Sequence, residues 1–144
     1  LIGDVVAITD QRIANANQYD KAFADMGEVI SIPPRRPNFK RVYHTYVLRV
    51  KDRDSLLEHL LEKGVRAKVH YPIPVHLQKA AAYLGYKEGD FPVCEQDAKT
   101  IITLPVHQHL TEEEKAYVID CVRGFYPNAG AARGEQKDAV HSRG

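Results

Sequence analysis

The chain has 144 residues, 44% of them hydrophobic and 27% charged, and its 20 Lys and Arg against 19 Asp and Glu leave a net charge of +1. That supplies apolar material for one globular core and no electrostatic case for binding nucleic acid. Cys94 and Cys121 lack any Cys-x-x-Cys spacing, and no apolar run approaches the ~18 to 20 residues that cross a bilayer, so neither a disulfide scaffold nor a membrane span is predicted and a reducing compartment, the cytoplasm, is expected.

Residues 1–8 are apolar and read as the inside of a helix near a domain junction. Residues 10–26 carry Ile13, Ala16, Tyr19, Phe23 and Met26 at three-to-four-residue spacing, with Thr9 or Asp10 able to cap a helix and Gly27 to end it. A short apolar run at 29–32 is closed by Pro33-Pro34, and 35–40 is loop by its prolines and charges. The clearest strand is 42–50, in which Val42, His44, Tyr46, Leu48 and Val50 alternate with Tyr43, Thr45, Val47 and Arg49. Bulky groups on both faces predict a central position, with His44 as a core histidine satisfied by a backbone partner.

Asp52 is placed to cap a helix whose Leu56, Leu57, Leu60 and Leu61 form one stripe and which Gly64 stops. Residues 65–69 read as a returning strand, 78–84 as a short small-residue helix and 101–104 as a further strand. In the last helix, 112–125, Thr111 and Glu114 match a capping box, and Tyr117, Val118, Cys121, Val122 and Phe125 form the buried stripe. The pattern predicts an α+β fold, a small sheet with helices packed on one face. Three segments are expected: 1–26 as junction segment and helix linking to a large domain upstream, 27–126 as the small domain, and 127–144 as a disordered tail.

The most informative stretch is Lys68-Val69-His70-Tyr71-Pro72-Ile73-Pro74-Val75-His76-Leu77-Gln78. Each proline fixes its own φ and pushes the preceding residue toward an extended conformation, so His70, Tyr71 and His76 are presented by a stiffened loop. Then come Phe91-Pro92-Val93-Cys94-Glu95, Leu104-Pro105 and Leu110-Thr111-Glu112-Glu113-Glu114. The order "His-Tyr-Pro-x-Pro-x-His-x-Gln", "Phe-Pro-x-x-Glu", "Leu-Pro", "Leu-Thr-x-Glu-Glu" and a terminal Phe-Tyr resembles the C-terminal region of the DegT/DnrJ/StrS family of nucleotide-sugar aminotransferases. These are pyridoxal-phosphate enzymes of fold type I, the aspartate-aminotransferase fold. The resemblance runs from about residue 12 to residue 126.

This resemblance implies a fragment. Family members are roughly two to three times as long, with a cofactor-binding domain first. The Schiff-base lysine, the acid facing the pyridine nitrogen and the loop reaching the neighbouring subunit's phosphate group are then expected upstream of residue 1. The implied cofactor is pyridoxal 5'-phosphate, the implied partners are a nucleotide-sugar substrate, an amino-acid donor such as glutamate and a second subunit of a homodimer, and the fragment alone is expected to be inactive. A noncatalytic nucleotide-sugar binding or regulatory module is the alternative. His70, Tyr71 and His76 become substrate-binding candidates, since a ring nitrogen or phenol can address a sugar hydroxyl or a diphosphate oxygen.

No catalytic residue is assigned. Lys68, beside Arg66 and His70, is the one lysine with a suggestive position, and it reads as a solvated strand-end residue. His107 and His109 with His70 and His76 invite a metal reading, but no ligand-type spacing supports one. Asp90 and Glu95 read as a helix N-cap and a first-turn acid rather than a catalytic pair.

Overall fold

A computed structural model describes residues 2–130. Its elements are α1 (Val5–Ala22), β1 (Ile30–Ser31), β2 (Tyr46–Val50), α2 (Arg53–Glu62), two 3₁₀ turns (Val75–Leu77 and Lys79–Leu84), α3 (Pro92–Thr100), β3 (Ile101–Leu104) and α4 (Glu112–Phe125). The sheet is antiparallel in the order β1-β2-β3, so β2 is central as its two bulky faces require. Leu48 lies opposite Ile102 and Val47 opposite Thr103.

The pleat of β2 sorts its residues between two environments. Tyr46, Leu48 and Val50 are buried together with Ile102 and Leu104 of β3. Against them pack Ala16 and Tyr19 of α1, Leu56 and Leu60 of α2, and Val118, Cys121 and Val122 of α4. The three longer helices thus cover one face. On the other face Arg49 holds Asp97 of α3 through two hydrogen bonds, one of 3.0 Å.

The helix ends differ in how they are made. At α4 the Thr111 hydroxyl accepts the Glu114 N–H at 3.1 Å and the Glu114 carboxylate accepts the Thr111 N–H at 2.9 Å, the reciprocal box read from the sequence. Asp52 does occupy the N-cap position of α2, but its φ is +49° and its side chain makes no cap bond, a correction to its predicted role. Leu56, Leu57 and Leu60 face inward, whereas Leu61 is exposed. Gly64, at φ +77°, turns the chain after α2 where a side chain would be strained.

Several boundaries move. α1 starts at Val5 rather than residue 10 and ends at Ala22, and Phe23 and Met26 reach the core from the turns that follow. β2 begins at Tyr46, so Val42 and His44 lie in exposed chain before it and His44 is not a core histidine. Residues 65–69 form one bridge, Lys68 to Thr103, instead of a strand. Helix 78–84 is 3₁₀. Of the tail expected at 127–144, residues 127–130 make a turn with Ala129 against the core, and 131–144 lie outside the described residues. No helix among the described residues is long and apolar enough to cross a membrane.

Candidate functional site

The segment leaving α2 lies beside β3. Lys68 N–H donates to Thr103 O at 3.0 Å, and Thr103 N–H donates to Lys68 O at 2.8 Å. Directly opposed residues of antiparallel chains share a face, so Lys68, Thr103 and Val47 all point away from the helical core. Alternation extends this: Val65 and Ala67 are buried, whereas Arg66 and Lys68 are exposed on the outer face. His70 continues the same register, and its Nδ1 lies 3.1 Å from the Thr103 hydroxyl.

These residues line a groove of about 250 Å³ with His44, Leu104, Pro105 and His107. A second depression of about 570 Å³ adjoins it, sharing Arg66, Lys68, Pro105 and His107 and ending at α4. Charge is one-sided here. No carboxylate lines the first groove, and Glu114, in the second, has its carboxylate turned to the Thr111 cap. Among the described residues, neither Arg66 nor Lys68 has a side-chain hydrogen bond or ion pair.

The three candidate residues of the loop receive different places. Tyr71 projects outward, 71% exposed, with its ring edge-on to His70 at 5.8 Å. His70 is half-buried at the groove. His76 turns inward and is 8% exposed; its Nε2 meets Glu95 Oε1 at 3.0 Å and its ring packs on Phe91 at 4.8 Å. The structure therefore brings His70 and Tyr71 together and sets His76 apart as the anchor of the loop.

Glu95 is the residue whose part sequence reasoning missed. Its carboxylate accepts the Gly89 N–H at 2.9 and 3.0 Å and the Phe91 N–H at 3.2 Å in addition to meeting His76. The Gly89 hydrogen bond foremost, then those of Phe91 and His76, hold its carboxyl below the usual glutamate range. Gly89, at φ +96°, makes the turn that aims its N–H at this oxygen. Asp90 is not the cap of α3: it closes a turn by accepting the Lys87 N–H at 2.9 Å, Phe91 holds the N-cap position and Pro92 opens the helix. The available signal was the Phe-Pro-x-x-Glu spacing itself, read as helix-start chemistry rather than as a carboxylate reaching back to two backbone donors.

Neither Lys115 nor Lys68 forms a pyridoxal phosphate site by itself. Such a site needs a lysine amine and an acid facing the ring nitrogen in one pocket. Lys115, 2% exposed, donates instead to Asn15 Oδ1 at 3.1 Å and to Glu112 in the seam between α1 and α4, and it lines neither groove. Lys68 faces a groove with no carboxylate. Nor does any group of three or more His, Cys, Asp or Glu among the described residues suit a metal ion.

A small α+β domain, a three-stranded sheet covered by helices, is the architecture of the small C-terminal domain of fold type I pyridoxal-phosphate transferases. The chain belongs to the DegT/DnrJ/EryC1/StrS aminotransferase family, which it matches over residues 3–123. It is 37% identical over 119 residues to a protein of Geobacillus stearothermophilus named pleiotropic regulatory protein, covering 82% of this chain and 32% of that one. It is 35% identical over 113 residues to the dTDP-3-amino-3,4,6-trideoxy-alpha-D-glucose transaminase of Streptomyces venezuelae, covering 78% and 30%. Superposition on the crystal structure of S. venezuelae DesV in complex with a ketimine intermediate gives a TM-score of 0.82 at 32% identity, over 86% of this chain and 33% of that one. The chain thus spans about a third of the length of the relatives it matches.

Proposed function

We propose that this chain is the small C-terminal domain of a pyridoxal-phosphate-dependent sugar aminotransferase. The whole enzyme would convert a keto-sugar nucleotide to an amino sugar with an amino-acid donor, glutamate first among them, and would act as a homodimer. One observation carries the reading: the family motifs at 68–78 and 104–105, far apart in sequence, meet at one groove through the His70–Thr103 contact.

In this reading the cofactor supplies the electron sink and binds in the part of the enzyme that this chain does not span. The residues here bind and orient. With Nδ1 engaged by Thr103, His70 has its Nε2 left for a sugar hydroxyl or a phosphate oxygen. Tyr71 offers a phenol and an open ring face at the rim. His76 serves from behind, since its pairing with Glu95 fixes the loop that carries the other two. Ile2, Val5 and Val6, exposed along the first turns, are then the surface that packs against the larger domain.

The test is an assay of the extended protein with glutamate and a panel of keto-sugar nucleotides. Amination is expected, and His70→Ala and Tyr71→Ala should raise KM for the sugar nucleotide more than they lower kcat. The 144-residue chain, given pyridoxal phosphate and glutamate, should show no visible absorption from protein-bound cofactor. A stable, glutamate-sensitive band from the chain alone would end the fragment reading. Sugar-nucleotide binding without turnover by the extended protein would instead establish the regulatory-module reading, which the name of the Geobacillus relative favours.

A further inference from the structure

Resting on the nucleotide-sugar reading above, we propose that Arg66 and Lys68 grip the diphosphate of that substrate, making the outer-face groove the anionic anchor of the pocket. The argument starts from charge. Among the described residues lining other depressions, Arg35 is held by Asp20, Arg41 by Pro34 O, Arg53 by Ala98 O and Ile101 O and Lys99 by Glu88, while Lys51, without such a partner, shares its depression with the carboxylates of Asp52 and Asp54. Arg66 and Lys68 have none among the described residues, and they share one concavity with the imidazoles of His44, His70 and His107. Unpaired cations gathered where no carboxylate faces them are poised for an anion from outside.

Geometry makes the anion a diphosphate rather than a single phosphate. Arg66 and Lys68 are two residues apart on extended chain, so their side chains leave the same face about 7 Å apart along it. A sugar-nucleotide diphosphate carries one negative charge on each of two linked phosphoryl groups, matching one cation each. A guanidinium can hold one phosphoryl by two parallel hydrogen bonds, and an ammonium can meet the other as a point charge. The backbone under them is fixed by the reciprocal Lys68–Thr103 hydrogen bonds, so the pair is positioned before any ligand arrives. The same bridge sets His70 one register step beyond Lys68, on the side where the sugar would follow the diphosphate.

The 144-residue chain, isotopically labelled, is titrated at low salt with thymidine diphosphate, uridine diphosphate, thymidine, orthophosphate and pyridoxal phosphate, and amide shifts are followed. Both nucleoside diphosphates should bind, with shifts at residues 44–45, 66–70 and 103–107, and thymidine should not. Arg66→Gln with Lys68→Gln should weaken diphosphate binding by about tenfold or more, and Lys68→Arg should restore most of the loss caused by Lys68→Gln. Both positions are exposed, so an unchanged amide spectrum elsewhere will show that the fold survives. Absence of diphosphate binding, or binding indifferent to the double variant, overturns the proposal. Orthophosphate or pyridoxal phosphate binding as tightly as the diphosphates overturns the assignment to a diphosphate. The two readings fail separately: transamination by the extended enzyme with KM unaltered in the double variant removes this inference alone, whereas diphosphate binding here without transamination removes the enzyme reading alone.

Discussion

His76 and Glu95, nineteen positions apart in sequence, meet at 3.0 Å with both side chains more than nine-tenths buried, and this pair ties the proline-rich loop to the first turn of α3. Glu95 simultaneously accepts the Gly89 and Phe91 N–H groups, so one carboxylate closes a turn, starts a helix and anchors a loop. His70, itself in contact with Thr103, and Tyr71 thus lie on a loop whose far end this pair fixes.

That arrangement sets a pH dependence. The Glu95 carboxyl lies below its ordinary value in the folded protein, chiefly through the Gly89 hydrogen bond. A lowered native value means that its stabilising contribution is complete above the unfolded value of about 4.3 and is lost as pH falls through the folded one. Asp97, lowered by Arg49, and Glu112, lowered by Lys115, act with the same sign. Thermal melts between roughly pH 6 and pH 3 should show a falling Tm, and Glu95→Gln should melt lower at neutral pH with a shallower acid slope. A variant slope equal to that of the parent would mean that Glu95 has no such role.

Two arginines on neighbouring elements should differ sharply. Arg53, 8% exposed, donates from Nη1 to Ala98 O at 3.0 Å and Ile101 O at 3.2 Å, closing the carboxyl end of α3 onto the start of α2. Arg53→Ala strands those carbonyls and should cost about 2 kcal/mol in denaturant unfolding. The Arg49–Asp97 pair is 41% and 33% exposed, where solvent screens it, so Asp97→Asn should cost less than about 1 kcal/mol. Equal losses would contradict this reading of burial.

Thr111 offers a local control. Its hydroxyl and the Glu114 carboxylate close the first turn of α4 reciprocally, and Thr111→Ala should cost about 1 kcal/mol, Thr111→Ser little. Chemical denaturation of the three proteins decides it.

What could be read from the sequence was what is local. The Thr111–Glu114 box lies within four residues, so the bounds of α4 follow from it, and β2 is central because alternate large side chains can be satisfied only between two neighbours. The segment at 65–69 has the alternation of a strand, with Val65 and Ala67 inward and Arg66 and Lys68 outward, yet it pairs at one bridge because β3 is only four residues long and the chain leaves at His70. His44 continues the alternation of β2 in sequence, but the strand starts two residues later and solvent meets it instead. At the candidate site, the loop was visible from Pro72 and Pro74, whereas the inward turn of His76 depends on Glu95 and could not be read from its neighbours. The face shared by Arg66, Lys68 and Thr103 depends likewise on a pairing across 35 residues of chain.

The seam behind the groove gives a final prediction. Asn15 is fully buried in α1; its Nδ2 donates to His107 O at 2.9 Å, while its Oδ1 accepts from Lys115 Nζ at 3.1 Å and Gln11 Nε2 at 3.2 Å. It therefore connects the turn that carries His107, at the groove, to the only charged group of α4 that is buried among the described residues. Asn15→Ala leaves the ammonium of Lys115 with Glu112 alone and frees the His107 carbonyl, so a loss of about 2 to 3 kcal/mol is expected. Lys115→Met removes the charge along with the bond and leaves Asn15 its other two partners, so it should cost less. Amide shifts should separate the two further: only Asn15→Ala should move the signals of residues 106–109. If Lys115→Met proves the more damaging, the ammonium contributes more to the fold than the carboxamide that holds it.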